Sequence, residues 1–428
     1  MDGCPFVCFD SLSVDFVSPI GAVPAGQEIT FCVRLIKRAG AHSPRLLVYE
    51  ADQWENPAAI LPMMPLRDEP TVVWYVTHFL PQRPSLLFYR FDAQVGDGRQ
   101  SILRGDDSTG KLNPWNGKHW QLTVYDAKMR QPSALTGGLI YQIFPDRFYS
   151  SKTKKEHVPS DRILRDDWGA MPSWRPNEQG KVLCNDYFGG DLEGIREKLP
   201  YLKSLGVTVI YLNPIFEAQS NHRYNTADYT KIDPLLGSEA DFKALCADAR
   251  KVDISVILDG VFSHTGSDSI YFNREGRYKG GAYRDRKSPY LSWFKFEKWP
   301  ESYKSWWGID TLPEVVETDP SYLDFITGEN GVIDHWMKAG AAGFRLDVAD
   351  ELPDLALDAI CAAVRRQDAE APVIGEVWED ASNKMSYGIR RRYLLGNQLS
   401  SVMNYPLTDA ILAFVRQGDA YSLFSVLL

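Results

Sequence analysis

Two rhythms of apolar and polar positions divide the chain. Up to about residue 125, the runs EITFCVRLI, RLLVYEA, TVVWYVTHFL, SLLFYRFDA and HWQLTVYDA are rich in β-branched and aromatic residues and are separated by Gly, Pro and Asp, the signature of strands joined by turns. Several strands at this spacing predict an all-β sandwich module over residues 1–127. Lys128 to Gly138 is polar and ends in a glycine pair, which marks a boundary. From Leu139 the pattern becomes strand then helix. LIYQIF is the first strand; DLEGIREKLPYLKSLG then sets Leu192, Ile195, Leu199, Leu202 and Leu205 at helical spacing, closes on Gly206 and leads into VTVIYL. Ser238 opens SEADFKALCADARKVD with an acid three residues on, as in a capping box, and ISVILDG follows. TGENGVIDHWMKAGAAG precedes GFRLDV, DLALDAICAAVRRQD precedes PVIGEV, and SVMNYPL is the last strand.

Strands that alternate with helices are parallel, and strands this apolar are covered on both faces. The class is therefore α/β over residues 138–428, either a doubly wound sheet or a (β/α)8 TIM-type barrel. Residues 263–322 break the alternation and form an inserted excursion. After the sixth strand comes the helix DAILAFVRQGDAYSLFSVLL. A barrel built from this chain is thus expected to be C-terminally incomplete, stopping after about six βα units with edge strands unpaired. Its remainder is expected on a longer protein or on a second chain.

The strand ends collect polar residues: Asp146 and Arg147, Asn213, Asp259 with His264, Arg345 with Asp347, Glu376, and Asn404 with Tyr405. Taken singly, each has a plain reading as a turn former or helix cap. The combination in GFRLDVADELP is harder to set aside. Arg345 and Asp347 share one face of a strand, and burying both costs several kcal/mol unless each serves the other or a substrate. The guanidinium is expected to keep Asp347 ionised. Glu376, among Val373, Ile374, Val377 and Trp378, is expected to hold its proton. Two carboxyls with opposed environments are what cleavage of a glycosidic bond needs: one attacks the anomeric carbon and the other protonates the leaving oxygen.

The bulk properties agree with a neutral substrate. With 428 residues there is room for two or three domains, and a formal charge of -9 with a pI near 5.4 argues against nucleic acid or an anionic membrane, which call for clustered Lys and Arg. No run reaches the ~18 apolar residues of a membrane span. The six cysteines form no CxxC pair and read as reduced thiols, with Cys4 and Cys8 as a pair only in an oxidising compartment. MDGCPFVCFDSLSVDF lacks the basic start and apolar core of a secretory signal, so the expected location is cytoplasmic. No phosphate-binding glycine loop, GxxxxGK[ST], HExxH or GxSxG motif competes.

DGVFSH (Asp259 to His264), GFRLDVADE (Gly343 to Glu351) and GEVW (Gly375 to Trp378), in this order, resemble the signature segments of the alpha-amylase family of glycoside hydrolases. YQIFPDRF, GGDLEGI, LGVTVIYLNPIF and SNHRYNTADY extend the likeness over Leu139 to about Asp409, and the neopullulanase, cyclomaltodextrinase and amylopullulanase type is the most similar, including a carbohydrate-binding-like β module before the barrel. The resemblance implies a TIM-type barrel and retaining hydrolysis of α-1,4 glucosidic bonds, with α-1,6 bonds as a second target, in maltooligosaccharides, pullulan, cyclodextrins or starch. It makes Asp347 the nucleophile and Glu376 the acid and base, with Arg345 orienting Asp347 and Asp259 bracing Arg345. Tyr224 would stack on the cleaved sugar, and His222 and His264 would bind its hydroxyls. Glu351 and Trp307 join the substrate-binding set, with Trp306 and Trp307 walling an acceptor subsite. Alternatives are a transglycosylase on the same substrates, or a catalytically silent glucan-binding protein, which would have lost the two carboxyls. The sequence departs from the family in three ways. No His-Asp pair follows Asn404, so the third catalytic carboxylate is absent and the chain alone is expected to be inactive or nearly so, the complete protein active. Asn225 replaces an aspartate. The segment after Arg147 is basic, which leaves Asn185 and Asp191 as weak calcium ligands; no cofactor is required and calcium is an option. The expected partner is an α-glucan, with no nucleic acid and no membrane, and a homodimer is allowed.

Overall fold

A computed structural model describes residues 6–153, 155 and 158–426. The chain divides into two compact units: one holds the described residues through Met129 with Trp378–Asn397 and Asn404 onward, the other Arg130–Val377 with Gln398–Met403.

The first unit contains an eight-stranded and a four-stranded sheet. Alternate residues of their strands fill a common core that includes Phe9, Phe31, Phe91, Trp74 and Trp120, the arrangement of a β-sandwich. Of the other tryptophans here, Trp54 and Trp115 are 47% and 92% exposed. The Trp378–Asn397 segment joins this unit through Arg390, whose Nε donates to Asp52 at 3.0 Å, and through Asn383, whose amide donates to Gln121 at 2.6 Å. The terminal helix expected as one piece is two, Tyr405–Gln417 and Ala420–Val426. Gly418, at φ 72°, ends the first in the left-handed conformation that glycine adopts without penalty. Cys8 and Cys32 are free thiols; Cys4 lies outside the described residues.

The second unit is built on six strands hydrogen-bonded in chain order: Leu139–Ile143, Val207–Leu212, Ser255–Gly260, Gly343–Leu346, Val373–Gly375 and Ser401–Val402. Every pairing is parallel, the sequential order of a TIM-type barrel. The middle strands are buried on both faces, whereas Leu139 and Ile140 of the first are 46% and 44% exposed, because that strand ends the hydrogen-bonded path among the described residues. Between strands, the helix Glu239–Lys251 has the expected capping box, with Ser238 and Asp241 exchanging bonds. The helix expected over residues 191–206 is broken into Leu192–Glu197 and Leu199–Ser204, with Pro200 in the first turn of the second, where its missing N–H costs nothing. Gly190 permits the close return of the chain after the first strand: a Cβ there would stand 2.2 Å from the Pro145 carbonyl oxygen.

The excursion is held by rings rather than by a regular sheet. Tyr271 packs on Trp293 at 5.3 Å and on Phe325 at 5.5 Å, and Phe272 packs on Phe294 at 4.8 Å. Each such pair adds about 0.5–1.5 kcal/mol beyond its buried area. No helix among the described residues is long and apolar enough to cross a membrane.

Candidate active site

The parallel register assembles the site. Asp259 on the third strand lies directly beside Arg345 on the fourth, and Leu346 beside Gly375 on the fifth. The fourth strand ends at Leu346, two residues earlier than the sequence suggests, but Asp347 stays tethered by its N–H to the Gly260 carbonyl at 3.1 Å, and Glu376 by its N–H to the Leu346 carbonyl at 3.0 Å. All the carboxylates therefore emerge at the C-terminal ends of adjacent strands.

One guanidinium holds them together. Arg345 Nη1 lies 2.8 Å from Asp259 Oδ1 and 2.9 Å from Asp347 Oδ1, and its Nη2 lies 2.8 Å from Glu376 Oε2. The two Nη atoms sit on one planar fork, so the contacting oxygens of Asp347 and Glu376 are within about 8 Å of each other, the range of a carboxyl pair flanking one glycosidic bond. Tyr211 donates to Asp259 Oδ2 at 2.5 Å, and so does Tyr224 at 3.0 Å, while Asn213 donates its amide to the Tyr224 hydroxyl at 3.0 Å.

The electrostatics differ from the sequence expectation. Three carboxylates share one cation, so full ionisation leaves two uncompensated negative charges in a buried place. Burial, and after it the Asp259 charge, pushes Asp347 up to about 8 against the pull of Arg345. Burial raises Asp259 as well. Nor is Glu376 in a wholly apolar setting: its Oε2 accepts the Val348 N–H at 2.8 Å besides facing Arg345, and Trp378 is 45% exposed. The proton retained near neutral pH belongs to Asp259 and Asp347 together, not to one residue. Val348 donates from φ 40°, a conformation rare for a β-branched residue and found where strain is stored at working sites.

His222 and Tyr224 form a near-parallel pair, 5.9 Å between centroids at 29°. Tyr224 N–H donates to His222 Nδ1 at 3.2 Å, which assigns the proton of the neutral ring to Nε2, free to donate to a hydroxyl. Burial pulls both His222 and His264 down to about 4, so both are neutral at physiological pH. His264 lies 5.5 Å from Trp306, which stacks on Trp307 at 5.4 Å. Glu351 takes one indole N–H on each oxygen, both at 2.7 Å. It is therefore the brace of the two tryptophans; Trp307 is 66% exposed.

Several strand-end residues have the plain role. Asp146 accepts the N–H groups of Phe188 and Gly189 at 3.0 and 3.1 Å, and Asn404 caps a helix by accepting from Leu407. Asn225 accepts the Ser220 hydroxyl. Tyr211 was missed by the sequence reading; its signal was position, since Val209 and Tyr211 share the face that carries Ile257 and Ile374. The calcium candidates do not fit a cation. Asp191 caps the Leu192–Glu197 helix and carries the Lys155 ammonium on Oδ2 at 2.6 Å, and Asn185 turns its amide N–H to the Asp161 carbonyl at 2.9 Å. A lysine in contact repels a second cation, and hard-cation sites need about six oxygens. Among the described residues no cluster of three His, Cys, Asp or Glu could hold a metal.

Tyr224→Phe removes the hydroxyl between Asn213 and Asp259 but keeps the ring. The expected result is a loss of kcat/KM of about tenfold, close to the ~1.5 kcal/mol lower end for a bond to a charged group. Steady-state kinetics check it, and an unchanged kcat/KM would remove Tyr224 from the site.

The model of the alpha amylase catalytic domain matches residues 142–426. The amylopullulanase of Thermoanaerobacterium saccharolyticum is 36% identical over 454 residues, covering 96% of this chain and 34% of that protein. The cyclomaltodextrinase of Thermoanaerobacter pseudethanolicus is 32% identical over 341 residues, covering 76% of this chain and 53% of that protein. The solved structure of a cyclomaltodextrinase superimposes with a TM-score of 0.61 at 25% identity, covering 94% of this chain and 65% of that one. The chain thus spans about a third of the amylopullulanase and about half of the first of these cyclomaltodextrinases. A catalytic-domain match over most of the chain, on a sheet whose strand ends bring Asp259, Arg345, Asp347 and Glu376 together, places this chain in the alpha-amylase family.

Proposed function

We propose that the protein is a retaining glycoside hydrolase that cleaves α-1,4-glucosidic bonds, with α-1,6 bonds as a second target, in maltooligosaccharides, pullulan, cyclodextrins or starch. The observation that carries this reading is the contact of one Arg345 guanidinium with both Asp347 and Glu376. Asp347 attacks the anomeric carbon and forms the glycosyl ester as the glycosidic oxygen departs with the proton of Glu376. Glu376, now a carboxylate, takes a proton from water, which attacks the same carbon and releases Asp347. Arg345 holds the two acids in place, and neutral His222 and His264 bind hydroxyls without adding charge beside the developing oxocarbenium ion. Relatives named amylopullulanase, neopullulanase and cyclomaltodextrinase support the substrate class. Transglycosylation and silent glucan binding are not favoured, since those names describe degrading enzymes and both carboxyls are in place. A cytoplasmic setting, with thiols reduced, belongs to the same reading, and so does a homodimer, which sedimentation would test.

Following the product anomer by NMR during hydrolysis of maltotriose and pullulan by the complete protein tests the proposal. Retention releases the α-anomer first; initial β-anomer would end the reading.

The pH dependence follows from the carboxylate set. Because Asp347 is raised to about 8, far above its unfolded value near 4, the native state binds the extra proton. That contribution to stability is complete below about pH 4 and is lost as pH rises towards 8. Asp347 attacks as the carboxylate, so kcat/KM is expected to rise as pH approaches 8. A profile flat from pH 5 to pH 8 would contradict the raised Asp347 carboxyl.

A further inference from the structure

Between the two site rings, His222 and Tyr224, sits a residue that faces the other way. Arg223 has no exposed surface and a backbone φ of 62°, a conformation that a non-glycine residue keeps only where its surroundings over-determine it. Its Nη1 donates to the Asn221 carbonyl at 2.9 Å and its Nη2 to Asp233 Oδ1 at 3.3 Å. Its guanidinium carbon lies 5.4 Å from the Tyr187 ring centroid. Asp233 is itself buried and is shared with Arg162, whose Nη1 lies 3.0 Å from Oδ2, and Tyr187 donates its hydroxyl to the Gln219 carbonyl at 2.6 Å. Asn221, just before the rings, is fixed in turn by its amide to the Asp186 carbonyl at 3.0 Å and to the Asp186 carboxylate at 3.1 Å.

We infer that Arg223 is a positioning residue for the cleaved sugar: its buried guanidinium, anchored on Asp233 and Tyr187, fixes the left-handed turn that presents His222 and Tyr224 as one platform beside Asp259. The inference rests on the hydrolase reading above. A buried ion pair that served stability alone would need neither the turn nor a place between two site rings. The turn brings the rings of residues two apart into near-parallel stacking and lets the Tyr224 N–H reach His222 Nδ1. Loss of the anchor should release the rings, which act when the sugar is distorted towards the transition state, so the effect falls on kcat before KM. Arg223 also bears on His222 electrostatically, its charge adding to the burial that holds the ring neutral.

The test compares Arg223→Gly, which keeps the left-handed backbone accessible while deleting the anchor, with Arg223→Lys, which keeps a charge opposite Asp233. Hydrolysis of maltotriose by the complete protein carrying each change is measured beside Asp347→Asn. Expected are a kcat lowered at least tenfold in Arg223→Gly, with KM within about threefold, and recovery of most of that loss in Arg223→Lys. A folded Arg223→Gly with kcat within twofold of the parent would overturn the inference, and so would a Lys variant no better than the Gly variant. If Arg223→Gly does not fold, Arg223→Met replaces it, and equal kcat for Lys and Met overturns the inference. Full activity in Asp347→Asn would instead bring down the hydrolase reading, so the two failures are separable.

Discussion

Asp347→Asn is expected to lower kcat on maltotriose by about three orders of magnitude or more while the melting temperature stays the same or rises. The loss follows because an amide cannot form the glycosyl ester, and nothing else in the set can replace it: Asp259 is 2% exposed and closed off by Tyr211, Tyr224 and Arg345. The stability effect follows from charge. Asn keeps the shape and removes one of three carboxylates competing for a single guanidinium, and a carboxyl pushed up to about 8 by burial and Asp259 is one whose ionisation the fold resists. Glu376→Gln is expected to show a comparable loss on maltotriose, because the leaving sugar oxygen needs its proton. On an α-glucosyl fluoride, whose leaving group needs none, Gln at 376 should retain far more activity than Asn at 347. Equal losses on the fluoride would mean that the two roles are misassigned.

Arg345→Met is expected to cost both stability and activity. Arg345 is 5% exposed and its guanidinium is the shared donor to Asp259, Asp347 and Glu376. Removing the cation leaves like charges buried together, and breaking one side of a buried charge cluster typically costs about 3–5 kcal/mol. Asp347, which Arg345 pulls down, would answer by holding its proton to higher pH. Urea denaturation at pH 5 and at pH 8 separates the causes. At pH 5 the protonated set tolerates the loss, so the variant should be closer to the parent there than at pH 8. An equal deficit at both values would assign the loss to packing, not charge.

How much of this was legible beforehand depends on the kind of interaction. The six parallel strands were written in alternating apolar runs and helical spacings, since burial of one face per element is local information. The capping box at Ser238 was equally legible, because its partners are three residues apart. So was the pairing of Arg345 with Asp347, two residues apart on one strand face. The broken helix at Pro200 and the split at Gly418 were visible as residues but were read as continuous, because periodicity carried through them.

What the sequence could not state was register, and register made the site. Only the parallel alignment of the third and fourth strands puts Asp259 beside Arg345, from 86 residues away, and only that of the fourth and fifth brings Glu376 to the same guanidinium. Pairing by neighbours in sequence predicted a charged Asp347; pairing in space, which adds burial and the Asp259 charge, raises its carboxyl instead. Glu351 shows the same division. The family resemblance put it in the substrate-binding set, but only the fold brought two indole N–H groups from 44 and 45 residues away onto its two oxygens. Composition and periodicity fix which faces are buried because the hydrophobic effect is short-ranged and non-directional. Charge placement depends on distance through a low-dielectric interior, and that distance exists only once the strands are paired.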